Sequence, residues 1–197
     1  MFAEFIMDNL ENPKKIYFLD EVGFNVSMRS RYGWSPAGER SNVSTIALRS
    51  KNISVCCVMN CESLFFYQAQ SESYNRESFM SFLNSLFMYF RESDISGVKL
   101  VMDNASIHKG EAIQRLANQF GHSIVYNAPY SPFLNPIEEM FSKWKGKVHS
   151  QAPRNEDELF EIINAASELI SAEDCRGYYN HMTSYLRRCM NNEIIPN

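Results

Sequence analysis

Residues 127–141, NAPYSPFLNPIEEMF, constrain this chain more than any other stretch. Pro129, Pro132 and Pro136 fall within eight residues. Each proline fixes its own φ and restricts the residue before it, so the segment must run extended and stiff. A helix then starts. Asn135 suits its N-cap, Pro136 the first helical position and Glu138 the third. The stretch therefore delivers a carboxylate to a fixed point in the first turn of a helix. Asn135-x-x-Glu138 is also nearly a capping box, which leaves Glu138 two roles: satisfying an orphan N–H, or reaching out of the helix.

Two further acids follow apolar runs of the kind that form strands buried on both faces. Ile16-Tyr17-Phe18-Leu19 stops at Asp20-Glu21, and residues 98–102 stop at Asp103. An acid directly after a buried strand sits at the sheet edge where α/β proteins gather their sites, although an ordinary turn residue also fits there. Between these runs, residues 43–48, 53–59 and 64–69 read as antiparallel strands. Asn75 is predicted to cap a helix to about Arg91, with Phe79, Phe82, Leu83, Leu86 and Phe90 inward. Residues 104–108 lead into a helix with Ala112, Ile113, Leu116, Ala117 and Phe120 on one face, closed by Gly121. Residues 123–126 form a third short strand, and the Glu138 helix turns Ile137, Phe141, Trp144 and Val148 inward. Asn155 caps an acidic helix burying Leu159, Ile162, Ile163, Ala166, Leu169 and Ile170, and a last helix spans about 174–190. This order allows the two aspartate strands to lie side by side.

Carboxylates that converge in this way, with no CxxC and no His pair at ligand spacing, suit hard cations such as Mg²⁺ or Mn²⁺. Two such ions about 3.5–4 Å apart activate a water or hydroxyl and stabilise a leaving oxygen in phosphodiester chemistry. Without cations the acids repel one another.

A length of 197 residues suits one domain with a substantial core. Five cysteines at irregular spacing argue against a disulfide framework and read as reduced thiols. No apolar run approaches the roughly 20 residues that span a bilayer, and the first residues lack the order of a signal peptide. The net charge of −4 conceals a segregation. Arg29, Arg31, Arg40, Arg49 and Lys51 face one acid, Glu39, whereas residues 156–174 hold seven acids and no Lys or Arg. Local basic zones bind phosphate despite a negative total. Arg29, Arg31, Trp34 and Arg40, in an ordered loop, combine phosphate contact with stacking, though Trp34 equally suits a core edge. Lys143 and Lys145 add charge after the proline-rich turn, and Lys145 lies about two turns beyond Glu138 on nearly the same helix face.

Asp20-Glu21, WSPAG at 34–38, LVMDNASIH at 100–108 and YSPFLNPIEEMFSKWK at 130–145 resemble the catalytic domain of mariner-type transposases of the DDE superfamily. The 34 residues at positions 104–137, between Asp103 and Glu138, agree with the spacing in part of that family. The resemblance implies an α/β, RNase H-like fold, a mixed five-stranded sheet flanked by helices. It divides the chain into a lead-in at 1–14, a catalytic domain at 15–150 and C-terminal helices at 151–197 packing on that domain. It implies a catalytic and metal-binding triad of Asp20, Asp103 and Glu138, with Glu21, Asn104, His108, Asn135 and Pro136 supporting the motif; Asn104 and His108 fit either a part in catalysis or the capping and tying of a loop. It implies cut-and-paste chemistry with two Mg²⁺ or Mn²⁺ ions: hydrolysis at transposon ends, then attack of the freed 3′-OH on target DNA. A homodimer is implied, with the Trp34 loop touching partner and DNA, and a location in the nucleus of a eukaryotic cell or otherwise the cytoplasm. Family members usually carry helix-turn-helix domains first, and nothing before residue 15 suits one. The alternatives are a catalytic domain alone, an inactive or host-adopted module that binds DNA or protein or dimerises, and a nuclease of the same fold acting on RNA–DNA hybrids.

Overall fold

A computed structural model describes residues 2–9, 12–26, 38, 52–129, 131–191 and 193. The predicted strand at 43–48 and the basic-loop residues Arg29, Arg31, Trp34 and Arg40 lie outside them. Among the described residues no helix is long and apolar enough to cross a membrane.

Five strands form one mixed sheet. They are β1 (Ile16–Phe24), β2 (Ile53–Met59), β3 (Leu64–Gln70), β4 (Lys99–Met102) and β5 (Ser123–Tyr126), in spatial order β3-β2-β1-β4-β5. β1 and β2, and β2 and β3, pair antiparallel, whereas β4 lies parallel to both β1 and β5. The strands that carry Asp20 and Asp103 are therefore neighbours.

Alternation along β1 sends its side chains to two separate cores. Ile16, Phe18, Val22 and Phe24 face one layer, built from α4 (Ile137–Ser150), α5 (Glu156–Ser167) and α6 (Ala172–Met190). Tyr17 and Leu19 face the other, built from α2 (Arg76–Glu92) and α3 (Glu111–Gln119). The α2 stripe of Phe79, Phe82, Leu83, Leu86 and Phe90 is fully buried, as its helical spacing requires. Asn75 caps that helix by accepting a hydrogen bond from the Ser78 N–H. Trp144 of α4 is wholly buried between Phe24 and Tyr67, and its indole N–H donates to the Ile163 carbonyl at 3.0 Å. The short α1 (Phe2–Asp8) buries Ile6 in this same core.

Three expectations need correction. Ala112 of α3 is exposed rather than facing inward. β1 does not stop at Asp20 but continues to Phe24, because Val22 and Phe24 are buried while β2 stays paired as far as Phe24 and Ile53. Leu169 does not face inward: α5 ends at Ser167, and Leu169 is 53% exposed.

Candidate active site

The parallel pairing of β1 with β4 covers only Ile16–Leu19, and its last pair joins Leu19 to Met102. Asp20 and Asp103 are the next residue on each strand. Phe18 and Val101, two positions before them, both belong to the α4 side, so alternation turns both aspartates to that side. Glu138, in the first turn of α4, meets them from above the sheet. The three acids line one cavity of about 570 Å³, together with Asn104, Ala105, Lys109, Asn127, Ser131 and Asn135.

The proline-rich segment does not run extended throughout, as expected, but makes a 3₁₀ turn at Pro132–Leu134; it forms the cavity's far wall and is tied to the end of β4. The Asn127 N–H donates to the Met102 carbonyl at 2.8 Å, and the Asn104 amide donates to the Asn127 carbonyl at 2.6 Å. Leu134 is buried beneath this wall. Asn135 departs from its predicted part. The helix starts at Ile137 with Pro136 in the cap position, and no side chain caps it. The Asn135 amide instead donates to Asp20 Oδ2 at 2.9 Å, a contact spanning 115 positions of sequence. The capping-box role for Glu138 is thereby removed, and its carboxylate lines the cavity.

Each aspartate is held differently. Asp20 accepts from Asn135 through Oδ2 and from the Glu21 N–H through Oδ1 at 2.8 Å. Burial pushes its pKa up to about 7, with Glu138, Glu21 and Asp103 adding repulsion against the single backbone hydrogen bond. Asp103 is half-exposed, and its Oδ1 accepts from the Ala105 N–H at 2.9 Å and from His108 Nδ1 at 2.5 Å. The hydrogen bond from His108 holds the Asp103 carboxyl below its ordinary value. His108 is completely buried, and its Nε2 reaches Glu21 Oε1 at 2.9 Å. Burial opposes a charge on His108, but the hydrogen bonds to Asp103 and Glu21 outweigh it and raise its pKa to about 9.

Among the other predicted residues, Lys143 is engaged by Asp174 of α6 in an ion pair. That contact and the Ser171 hydrogen bonds hold Asp174 down to about 2. Lys145 is half-buried on α4 and does not line the cavity. Glu139 faces away, its carboxylate 2.6 Å from His181 Nδ1. Sequence reasoning overlooked Lys109, an exposed cation that lines the cavity beside the acids. Its position directly after His108 in the LVMDNASIH run was the available signal.

A cluster of oxygen donors with one acid held near neutrality by burial and repulsion fits a divalent cation. Binding it would remove the repulsion and replace the proton. Among the described residues no three His, Cys, Asp or Glu side chains close tightly enough to clasp a single ion. A pair of ions sharing the acids does not demand that.

The family described as "DDE superfamily endonuclease" matches residues 15–160. The chain belongs to this family. No curated protein sequence matches it. Among solved structures, the Mos1 transposase paired-end complex with the left transposon end has a TM-score of 0.80 at 15% identity, covering 96% of this chain and 59% of that one. The Mos1 mariner paired end complex with Mn has a TM-score of 0.79 at 15% identity, covering 98% of this chain and 61% of that one. The isolated catalytic domain of Mos1 mariner transposase has a TM-score of 0.71 at 14% identity, covering 98% of this chain and 92% of that one. This DDE superfamily chain thus spans about three fifths of the transposase chains in the paired-end complexes and matches the catalytic domain nearly end to end. The mixed five-stranded sheet with helices on both faces is the RNase H-like fold of that domain.

Proposed function

We propose that this chain is the catalytic domain of a cut-and-paste DNA transposase, hydrolysing a phosphodiester at transposon ends and then joining the freed 3′-OH to target DNA. One observation carries the reading: Asp20, Asp103 and Glu138, from two strands and a helix, line a single cavity. The Mos1 structures, one with a left transposon end and others with Mn or Mg, support the choice of substrate and cofactor. Asp20, Asp103 and Glu138 would hold two Mg²⁺ or Mn²⁺ ions, which when bound lower the pKa of the attacking water or hydroxyl and stabilise the leaving oxygen.

The remaining work belongs to the chain. Asn135 and the Glu21 N–H fix both oxygens of Asp20, and His108 with the Ala105 N–H fixes one oxygen of Asp103. Helix α4 sets Glu138 opposite them, and Pro129, Pro132 and Pro136 stiffen the facing wall. Lys109 on the rim offers a cation to a backbone phosphate beside the scissile one. In this reading the chain works as a homodimer on transposon ends and target DNA, in the nucleus of a eukaryotic cell or the cytoplasm of a prokaryotic one. Arg29, Arg31, Trp34, Arg40 and Lys145 serve as DNA contacts.

The decisive experiment is Mn²⁺-dependent cleavage of a DNA duplex by the wild-type chain and by D103N. Loss of cleavage in D103N is expected; undiminished cleavage would reject the assignment. An RNA–DNA hybrid cut in preference to DNA would move the reading to a hybrid nuclease of the same fold.

A further inference from the structure

Asp103 stands where β4 has ended, and its side chain is half-exposed. A carboxylate in that position would swing freely unless something outside the strand held it. Among the described residues, both of its hydrogen bonds go to one oxygen, Oδ1, from the Ala105 N–H and His108 Nδ1. His108 is itself anchored on several sides. Its ring packs on Phe79 with centroids 4.5 Å apart, and its carbonyl accepts from Tyr126 OH at 2.8 Å. The remaining ring nitrogen, Nε2, meets Glu21 Oε1 at 2.9 Å.

Glu21 is the neighbour of Asp20 on β1 and so points to the opposite face, with Leu19 and the α2 layer. It reaches His108 because β4 pairs only with Ile16–Leu19, which leaves the edge of β1 open beyond that point. The turn Ser106–His108 fills the opening. Arg76 props this turn from α2, its guanidinium donating to the Ser106 carbonyl at 3.1 Å.

We propose that Glu21 is a positioning residue for the cation site: acting through His108, it fixes which oxygen Asp103 turns toward the cavity. The inference rests on the metal-dependent reading above. Glu21 does not line the cavity, and its effect passes along Glu21–His108–Asp103. Without Glu21, only the Asp103 bond and the Phe79 contact would set the angle of the His108 ring, and Asp103 would follow any change in it. Outer partners that orient a ligand in this way typically contribute tenfold or more to metal affinity.

The test measures Mn²⁺ binding by calorimetry on the full 197-residue chain, without DNA, for wild type, E21A and E21Q. Urea unfolding of each variant corrects for the folded fraction. E21A is expected to bind Mn²⁺ about tenfold more weakly per folded molecule. E21Q keeps an acceptor oxygen at the same reach and is expected to recover most of that loss. A purely architectural Glu21 would lower the unfolding midpoint and leave the affinity of the folded molecules unchanged; that result overturns the proposal. If E21A does not fold, E21D, whose acceptor is withdrawn by one methylene, reads the same quantity: weakened binding supports the proposal and wild-type affinity overturns it. A wild-type chain that takes up no Mn²⁺ defeats the metal-dependent reading itself, which separates the two failures.

Discussion

Replacing Asp20 by asparagine should stabilise the cation-free fold while destroying the site it serves. The Asp20 pKa rises from 3.8 to about 7 in the folded chain, first through burial and then through the neighbouring acids. At 1.36 kcal/mol per unit, the shift corresponds to about 4 kcal/mol. A raised folded pKa contributes stability that is intact below the unfolded value and lost as pH climbs through the folded one. The loss therefore runs from about pH 4 to pH 7: roughly 2 kcal/mol of it is present at pH 5, and all of it at pH 8. The substituted asparagine has no charge to bury. It does offer one acceptor to two donors, the Glu21 N–H and the Asn135 amide, so Asn135 must turn its own oxygen inward, costing about 1 kcal/mol. D20N should exceed wild type by about 3 kcal/mol at pH 8 and by about 1 kcal/mol at pH 5, both with chelator present. Urea unfolding at the two pH values measures this directly, with unchanged slopes confirming that the denatured states are comparable. An equal difference at both pH values, or none at pH 8, would refute the argument that a buried charge strains this site. Saturating Mn²⁺ should reverse the order, since only wild type gains binding free energy.

Three other outcomes follow from the geometry. K109A should weaken DNA binding alike across sequences and lower the salt slope by about one, with Mn²⁺ affinity unchanged; filter binding over a salt series checks this. W144A removes a wholly buried side chain and the hydrogen bond to Ile163, so it should cost about 3–5 kcal/mol in urea unfolding. D174A removes both the partner of Lys143 and the acid that closes the Ser171 capping box, so it should destabilise by about 1 kcal/mol at pH 7. Because Asp174 is held down to about 2, that contribution persists above its ordinary 3.8 and disappears as pH falls through 2; acid titration of the two proteins should converge there.

Much of the framework was legible because it rests on local periodicity. The α2 stripe, the Asn75 and Asn155 caps, the apolar runs before Asp20 and Asp103 and the inward face of α4 all carry their pattern within a few residues. The second half of β1 was not legible, since Glu21 and Gly23 interrupt the apolar run and read like a turn. Alternation there marks a strand whose faces differ, which a short window does not separate from a loop. The polar contacts that build the site were the least visible. Asn135 meets Asp20 across 115 positions, and His108 meets Glu21 across 87. Such pairs leave no periodic trace. Lys143 looked free for DNA because its partner, Asp174, lies on a different helix. Lys109 was passed over because a lone lysine after a histidine looks like ordinary solvated surface.

The single-residue step between Asp20 and Glu21 has an evolutionary corollary. Because one strand serves two opposed surfaces, inserting or deleting one residue within β1 or β4 would exchange their inward and outward sets and carry an acid to the wrong layer. Lengthening the loops between the acids does no such thing, since a loop has no parity to lose. Descendants of this chain should therefore tolerate drift in the distance from Asp103 to Glu138 far more readily than a slip of one position inside either strand.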